Sequence, residues 1–338
     1  MTLSARTAGS LLFGAIVLSA VAASVVAPHS AGRQFSDFEY APPMRPHIVG
    51  EDGRWHSPFV YPLRLVDRLE RRFAEDRTRP MPLRWFPPSA TASAIVWVDE
   101  SAAAPGPWLP LGADPLGRDI FSRLVRGARL SLGVSLAAAA AALLLGAFLG
   151  ALAGFAGGRV DDAVMRGADF LLVLPAIYVV IVLRGSMPLV LTTAQVFWIM
   201  TAVLAVVGWP YSARGVRAIV SAERRREYAE AARAIGAGPL RILLRHLLPA
   251  ARGFLGVQAA LLLPAFILAE ATLSFVGFGF AEPTPSWGVM LHDAAQTGTL
   301  AEAPWLLAPA GAIVLTVLAV NLVIGRGTSS PPETDKIR

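Results

Sequence analysis

Residues 227–249 read EYAEAARAIGAGPLRILLRHLLP, and the pattern in them decides how the rest of the chain is understood. Ala, Glu and Arg fill Glu223–Ile235, and all three are good helix formers. Gly236-Ala237-Gly238-Pro239 then stops the run. Gly can adopt the positive φ that ends a helix, and Pro suits the first turn of the next one. Leu240–Leu248 is expected to form a second short helix, closed by Pro249. Its Leu240, Leu243, Leu244 and Leu247 recur at i, i+3, i+4 and i+7, which places them on one side. Arg241, Arg245 and His246 lie elsewhere. The residues therefore predict a helix-turn-helix elbow with an apolar stripe. Such a stripe suits docking into a groove of a partner protein. It suits an interfacial helix on anionic lipid equally well.

The flanks of this elbow are apolar. The chain has 338 residues, 54% of them hydrophobic, with mean hydropathy +0.54. The apolar residues fall in runs near the ~20 residues that a helix needs to cross the hydrocarbon core. These runs lack a polar face, which disfavours a large soluble core. Six spans are expected: Ser10–Ala27, Arg129–Phe155, Ala168–Leu183, Thr192–Trp209, Phe254–Phe275 and Pro304–Ile324. The first could instead be a cleaved signal peptide, but it is long for a signal h-region and Pro28 spoils the cleavage point. Gly146, Gly150 and Gly154 share one face of the second span, where small residues let another helix approach. Pro175 and Pro264 are expected to kink their helices, which a bundle tolerates.

Residues 28–128 differ in being rich in Pro, Arg and acidic residues. Tyr61–Ala74 carries apolar residues at helical period, and Ala94–Val98 reads as a short strand. The net charge is +6, almost all from Arg. Nucleic acid is one partner class for a basic chain, but the placement of charge argues for topology instead. Residues 210–252 contain nine Arg against three Glu, whereas 276–303 contain no Arg or Lys. Lys/Arg excess marks the cytoplasmic side. The elbow is then cytoplasmic, 276–303 external, both termini inside and the 28–128 insert outside. Cysteine is absent, which excludes disulfides and thiolate chemistry. The only lysine is Lys336, so no Walker A loop is present and ATP chemistry must come from another polypeptide.

Glu230-Ala231-Ala232, three residues, Gly236, nine residues, His246 and then Leu248-Pro249 resembles the EAA loop of ABC-importer permeases. Three further segments are similar to the oligopeptide, dipeptide and nickel subfamily. They are LGADPLGRDIFSRLVRGARLSL (111–132), VDDAVMRGADFLLVLP (160–175), with Asp162, Met165, Arg166, Asp169 and Pro175, and LSFVGFGFAEPTPSWGVML (273–291). The resemblance covers about 1–27 and 111–325. Two features depart from the subfamily: a long 28–110 insert and a tail after Asn321 that lacks the usual acidic ending.

The resemblance implies an all-α integral membrane protein of the MetI-like permease fold, with six transmembrane helices and the external insert between helices 1 and 2. The expected organisation is a tip and first helix (1–27), the insert (28–128), a five-helix core with its EAA loop (129–325) and a cytoplasmic tail (326–338). It implies a bacterial inner-membrane subunit without its own ATPase site or cofactor, with ATP and Mg held by partner ATPases. Further implied partners are a homologous second permease, an external substrate-binding protein and membrane lipid, but no nucleic acid. Peptides are the expected cargo, with nickel, opines or sugars behind them.

Coupling to the ATPase would rest on Glu227, Glu230, Ala231, Ala232, Gly236, His246, Leu248 and Pro249. His246 is expected to pack or hydrogen-bond rather than bind metal. Glu270 lies within a span, where a charge is expensive. It is expected to face the translocation path or to pair with Arg166 or Arg184. Asp169 and Arg166, near a helix end, could pair at the interface. Gly277 and Gly279 suit a tight external turn. A secondary transporter remains the rival class, since Glu270 is one midplane acid, although no repeat is visible. A membrane enzyme would need a reactive cluster, and none is evident.

Overall fold

The computed structural model describes residues 5–50, 53–85, 96–98, 106–174, 178, 182, 191–296 and 300–324. Helix α1 (Ala5–Val21) and a short turn α2 (Ala23–Val26) precede six strands. These are β1 (His47–Val49), β2 (Trp55–Val60), β3 (Leu63–Asp67), β4 (Arg72–Glu75), β5 (Met81–Trp85) and β6 (Val96–Val98). Helices α3 (Ile120–Ala156), α4 (Gly158–Val173), α5 (Thr193–Glu223), α6 (Glu227–Ala234) and α7 (Pro239–Ile242) follow. A π turn (Leu243–Leu247) and a 3-10 turn (Leu248–Ala251) lead into α8 (Arg252–Phe275), then α9 (Trp287–Gln296) and α10 (Ala308–Ile324).

Four helical stretches are long and apolar enough to cross a membrane: Ile120–Ala156, Thr193–Glu223, Pro239–Phe275 and Pro304–Val323. The apolar α1 is shorter, at 17 residues. The expected third span lies mostly outside the described residues, and Pro175 and Arg184 with it; α4 ends at Val173. The second and fourth spans belong to longer helices than expected. Asp119 starts α3 nine residues before Arg129, because its carboxylate accepts from the backbone N–H of Phe121 at 3.1 Å and of Ser122 at 3.2 Å. Two of the orphan donors of the first turn are thereby satisfied. Helix α5 runs on past Trp209 to Glu223 with Pro210 inside it.

The chain divides into two compact units. One comprises Met1–Phe13, Val134–Ala269 and Thr316–Arg338. Its central contact is between α3 and α5. A Cβ on Gly146 would stand 2.5 Å from Ser212 Cβ, and one on Gly154 would stand 2.6 Å from the Arg217 carbonyl oxygen. One on Gly150 would collide with the backbone of Ala213. The Gly stripe thus brings two backbones into contact within this chain. Gly9 of α1 does the same against α10, where a Cβ would lie 2.7 Å from Leu322 Cβ.

The other unit comprises Gly14–Gly133 and Glu270–Leu315. Here the expectation of an all-α chain is corrected, because the insert is built of strands. Antiparallel β1, β2, β5 and β6 form a sheet in that order, while β3 and β4 form a separate hairpin. The helix expected over Tyr61–Ala74 is absent. Leu63 pairs with Glu75 and Leu65 with Phe73. The Asp67 carboxylate accepts from the Leu69 N–H at 2.7 Å and the Glu70 N–H at 3.1 Å, closing the turn, and Arg71 takes φ 49°. Side-chain capture of loop donors competes directly with helix formation. Val66 and Leu69, which a helix would place with the other apolar residues of this stretch, are exposed. The small core uses Met44, Val60, Met81, Leu83 and Leu109, with Leu63 and Phe73 packed against it.

Two segments distant in sequence meet in this unit. Arg118 donates from Nε to Asp114 at 2.6 Å and from Nη1 to Glu282 at 2.5 Å. Arg123 Nη2 donates to Glu282 at 2.5 Å and reaches Asp293 at 3.5 Å. Both guanidinium groups are buried, which is tolerable only with paired charge. Trp287 ties the same segments, donating from its backbone N–H to Ser131 Oγ and from its indole to the Leu124 carbonyl, both at 3.1 Å. Burial, and then the adjoining Glu282 carboxylate, push the Asp293 carboxyl up to about 7. Burial is the largest influence on Glu282 and works against its charge, but Arg123, the Asp293 hydrogen bond and Arg118 together outweigh it and lower Glu282.

Gly150→Leu should cost about 1–3 kcal/mol or more by overpacking and lower the thermal midpoint in detergent. Gly167→Ala, where a Cβ meets nothing within 4 Å, should not lower it. The folded state holds a proton on Asp293 that the unfolded chain (pKa about 3.9) releases, so its contribution to stability falls as pH rises from about 4 to about 7. Corrected for intrinsic rates, hydrogen exchange across 282–293 should speed up from about pH 4 to about pH 7, and Asp293→Asn should flatten that dependence. Asp119, raised to about 7 chiefly by burial, titrates in the same window, which is why exchange is read on 282–293.

Candidate functional site

The elbow is built on the end of α5. Helix formers continue without a break from Glu223 to Ile235, yet the helix does not. Glu223 closes α5, the chain turns at 224–226, and α6 starts at Glu227. The turn returns the alanine face of α6 to its own scaffold. Ala229, Ala232, Ile242, Leu247 and Ala251 are buried with Val216 and Val220 of α5 and Ala151 of α3. A straight helix would leave Ala229 and Ala232 in solvent and that apolar floor uncovered. Burial therefore overrides propensity here. Arg224 fixes the break by donating from Nη1 to the carbonyl oxygen of Phe155, one of the free carbonyls at the end of α3.

Gly236 stops α6 as expected, and the stop is a Schellman motif. The Gly236 N–H donates to the Arg233 carbonyl at 2.9 Å and the Ala237 N–H to the Ala232 carbonyl at 3.0 Å. Gly236 sits at φ 84°, a region that a side chain disfavours. Pro239 occupies the first turn of α7.

The second limb departs from expectation in two ways. It is not closed by Pro249 but continues through the π and 3-10 turns into α8, giving the unbroken stretch Pro239–Phe275. The wide turn and then the tight one absorb a proline that cannot donate to an i→i−4 bond. The wide turn also rotates the leucine stripe. Ile242 and Leu247, five residues apart, face inward together, while Leu240 and Leu244 are 66% and 54% exposed. With Ile235 at 85% exposure, they form an outward apolar patch beside the Gly236 bend. An exposed apolar patch rimmed by charge marks an interaction surface.

The expected coupling residues divide accordingly. Glu227, Glu230, Ala231 and Gly236 are exposed; Ala232 is buried in the floor; His246, Leu248 and Pro249 are half-buried. The His246 ring lies against Tyr228, centroids 6.4 Å apart, so it packs the two limbs together. Tyr228 in turn donates from its hydroxyl to Glu223 at 2.7 Å. Among the described residues no group of three His, Asp or Glu side chains converges as a metal site requires.

The acidic and basic residues of the 160–175 segment are placed on α4. Asp169 pairs with Arg214 rather than with Arg166, which is exposed. Asp161 pairs with Arg217 through both carboxylate oxygens. The Arg217 hydrogen bond holds the Asp161 carboxyl below the usual range despite some desolvation. Asp161 was not singled out from the sequence, because nothing in α4 by itself shows which of two adjacent aspartates faces α5.

Glu270 has no exposed surface. Its Oε1 accepts from Ser274 Oγ at 2.8 Å, and the hydroxyls of Ser131 and Ser286 also bond its carboxyl. It is held by serines. Gly277, at φ 88°, opens the turn after α8, as expected. The Arg118–Arg123–Asp114–Glu282–Asp293 cluster was also missed. Its one legible signal is opposite charge in two of the segments that carry the resemblance.

Comparison with known proteins bears directly on the elbow. The family described as binding-protein-dependent transport system inner membrane component matches residues 146–326, more than half the chain and the whole of the elbow. The chain is 39% identical over 213 residues to the oligopeptide transport system permease protein of Bacillus subtilis, covering 63% of this chain and 67% of that one. It is 42% identical over 218 residues to the dipeptide transport system permease protein of the same organism, covering 64% and 65%. It is 38% identical over 213 residues to the nickel transport system permease protein of Escherichia coli, covering 63% and 74%. With its apolar helices and its elbow, the chain belongs to the inner membrane components of binding-protein-dependent transport systems.

Proposed function

We propose that the chain is the permease subunit of an ABC importer for peptides, and that the elbow is where an ATPase subunit docks. The observation that carries this reading is the outward patch of Ile235, Leu240 and Leu244 beside the exposed Glu227 and Glu230. The inner face of the elbow is already occupied by its own scaffold, so the patch is free for a partner. An apolar patch with a charged rim fits a surface cleft of a partner protein. Relatives named for oligopeptide and dipeptide transport support peptide cargo.

In this reading the elbow faces the cytoplasm, since 210–252 carries the Arg excess and 276–303 carries none. Six helices cross the membrane, both termini are inside and the strand-built insert lies outside, toward a substrate-binding protein. A homologous second permease completes the translocation path, and exposed apolar residues such as Leu144, Phe148, Leu261 and Val314 meet it or lipid. Partner ATPases hold ATP and Mg. Their closure would move the elbows and tip the helical bundles by rigid-body rotation. Glu230 and Gly236 act at that joint, Gly236 by setting the bend.

Leu240→Asp with Leu244→Asp should abolish copurification of the ATPase while the chain still inserts and pairs with the second permease. An ATPase that stays bound would refute the docking assignment. Gly236→Val should cost about 1–2 kcal/mol at the bend through its positive φ, leaving insertion normal while lowering uptake per ATP hydrolysed. Uptake per ATP equal to wild type would show that the bend is not part of coupling.

A further inference from the structure

We propose that Asp161 and Arg217 form a strut that makes α4 follow the elbow, so that Asp161 is a positioning residue for transport; this rests on the elbow being the ATPase dock. Arg217 lies on the turn of α5 between Val216 and Val220, the two residues that floor the elbow core. A push on Ala229, Ala232, Ile242 or Leu247 is therefore delivered to the helical turn that carries Arg217. The guanidinium fork passes it on. Nε donates to Asp161 Oδ1 at 2.9 Å, and Nη2 donates to Oδ2. A two-point fork fixes orientation as well as distance. Arg214, one turn back on α5, pairs with Asp169 further along α4, so the helices are pinned at two levels. Arg224, further along, pins α5 to the end of α3 at Phe155.

Magnitude favours transmission over mere stability. The Arg217 side chain is 40% exposed and that of Asp161 15%. With this much solvent the pair is screened, which limits what even a two-point fork adds to folding. What the pair supplies is geometry, where α4 meets the turn of α5 that the elbow rests on. Removing it should leave a folded, inserted protein whose α4 no longer tracks the elbow.

The chain has no cysteine, so spin labels can be placed at will. Cysteines substituted for the exposed Arg159 on α4 and Ala234 on the elbow are labelled in the full complex with its ATPases. The distance between them is measured without nucleotide and with a non-hydrolysable ATP analogue. With Asp161 and Arg217 intact, the distance distribution should stay narrow and unshifted between the two states. In Asp161→Asn it should broaden and shift on nucleotide binding, with ATPase copurification unchanged. The exchange Asp161→Arg with Arg217→Asp should restore the narrow, unshifted distribution. An Asp161→Asn distribution as narrow and unshifted as wild type overturns the strut, and so does an exchange that restores nothing. Failure of the docking assignment is separate, since it appears as ATPase copurification that survives Leu240→Asp with Leu244→Asp.

Discussion

The close approach of α3 to α5 is the constraint on which the elbow depends. Gly146, Gly150 and Gly154 remove the side chains that would hold the two backbones apart. In a membrane, association of helices gains little from the hydrophobic effect, and packing at short range supplies most of the attraction. Ala151, next to one of these glycines, joins Val216 and Val220 in a single apolar floor. The elbow is folded against that floor. Without the glycine stripe the floor would be split between two separated helices, and α6 would have nothing to turn back for.

The arginines of α5 and of the turn that follows it serve two kinds of acceptor. Arg214 and Arg217 meet carboxylates on α4, and Arg224 meets a helix-terminal carbonyl on α3. None of these contacts is deeply buried, so they orient more than they stabilise. The Arg118–Arg123 cluster is the opposite case. Its guanidinium groups are buried and share three carboxylates. Removing one partner there would leave buried charge unpaired, which is costly. Similar residue types thus act as adjustable struts in one unit and as a fixed clamp in the other.

The periodic and compositional features were legible. Long apolar runs gave membrane-length helices, and the Gly spacing gave one packed face. Gly236 and Pro239 gave a stop and a start where the sequence places them. Less legible was anything that depends on a neighbour distant in the chain. Tyr61–Ala74 satisfies a helical period, yet Asp67 captures two backbone donors and Leu63 and Phe73 find a core only as strands. The break at 224–226 has no local cause in propensity, and its cause is the floor on α5. The pairing of Asp169 with Arg214 instead of Arg166, and the serine cage of Glu270, are likewise contacts across helices.

The sequence by itself determined membrane-length helices and an elbow at 227–249, because apolar run length and turn residues are local properties, and the resemblance of that elbow to the EAA loop implied a permease. The tertiary structure decided which side of the elbow is free. A π turn places Ile242 and Leu247 together on the buried face and leaves Leu240 and Leu244 exposed. A 3.6-residue period would have put all four leucines on one side. The shift arises because Pro249 must be absorbed where the limb joins α8 while Ile242 and Leu247 fill the space above Val216 and Val220. That requirement exists only once α3 and α5 are in contact.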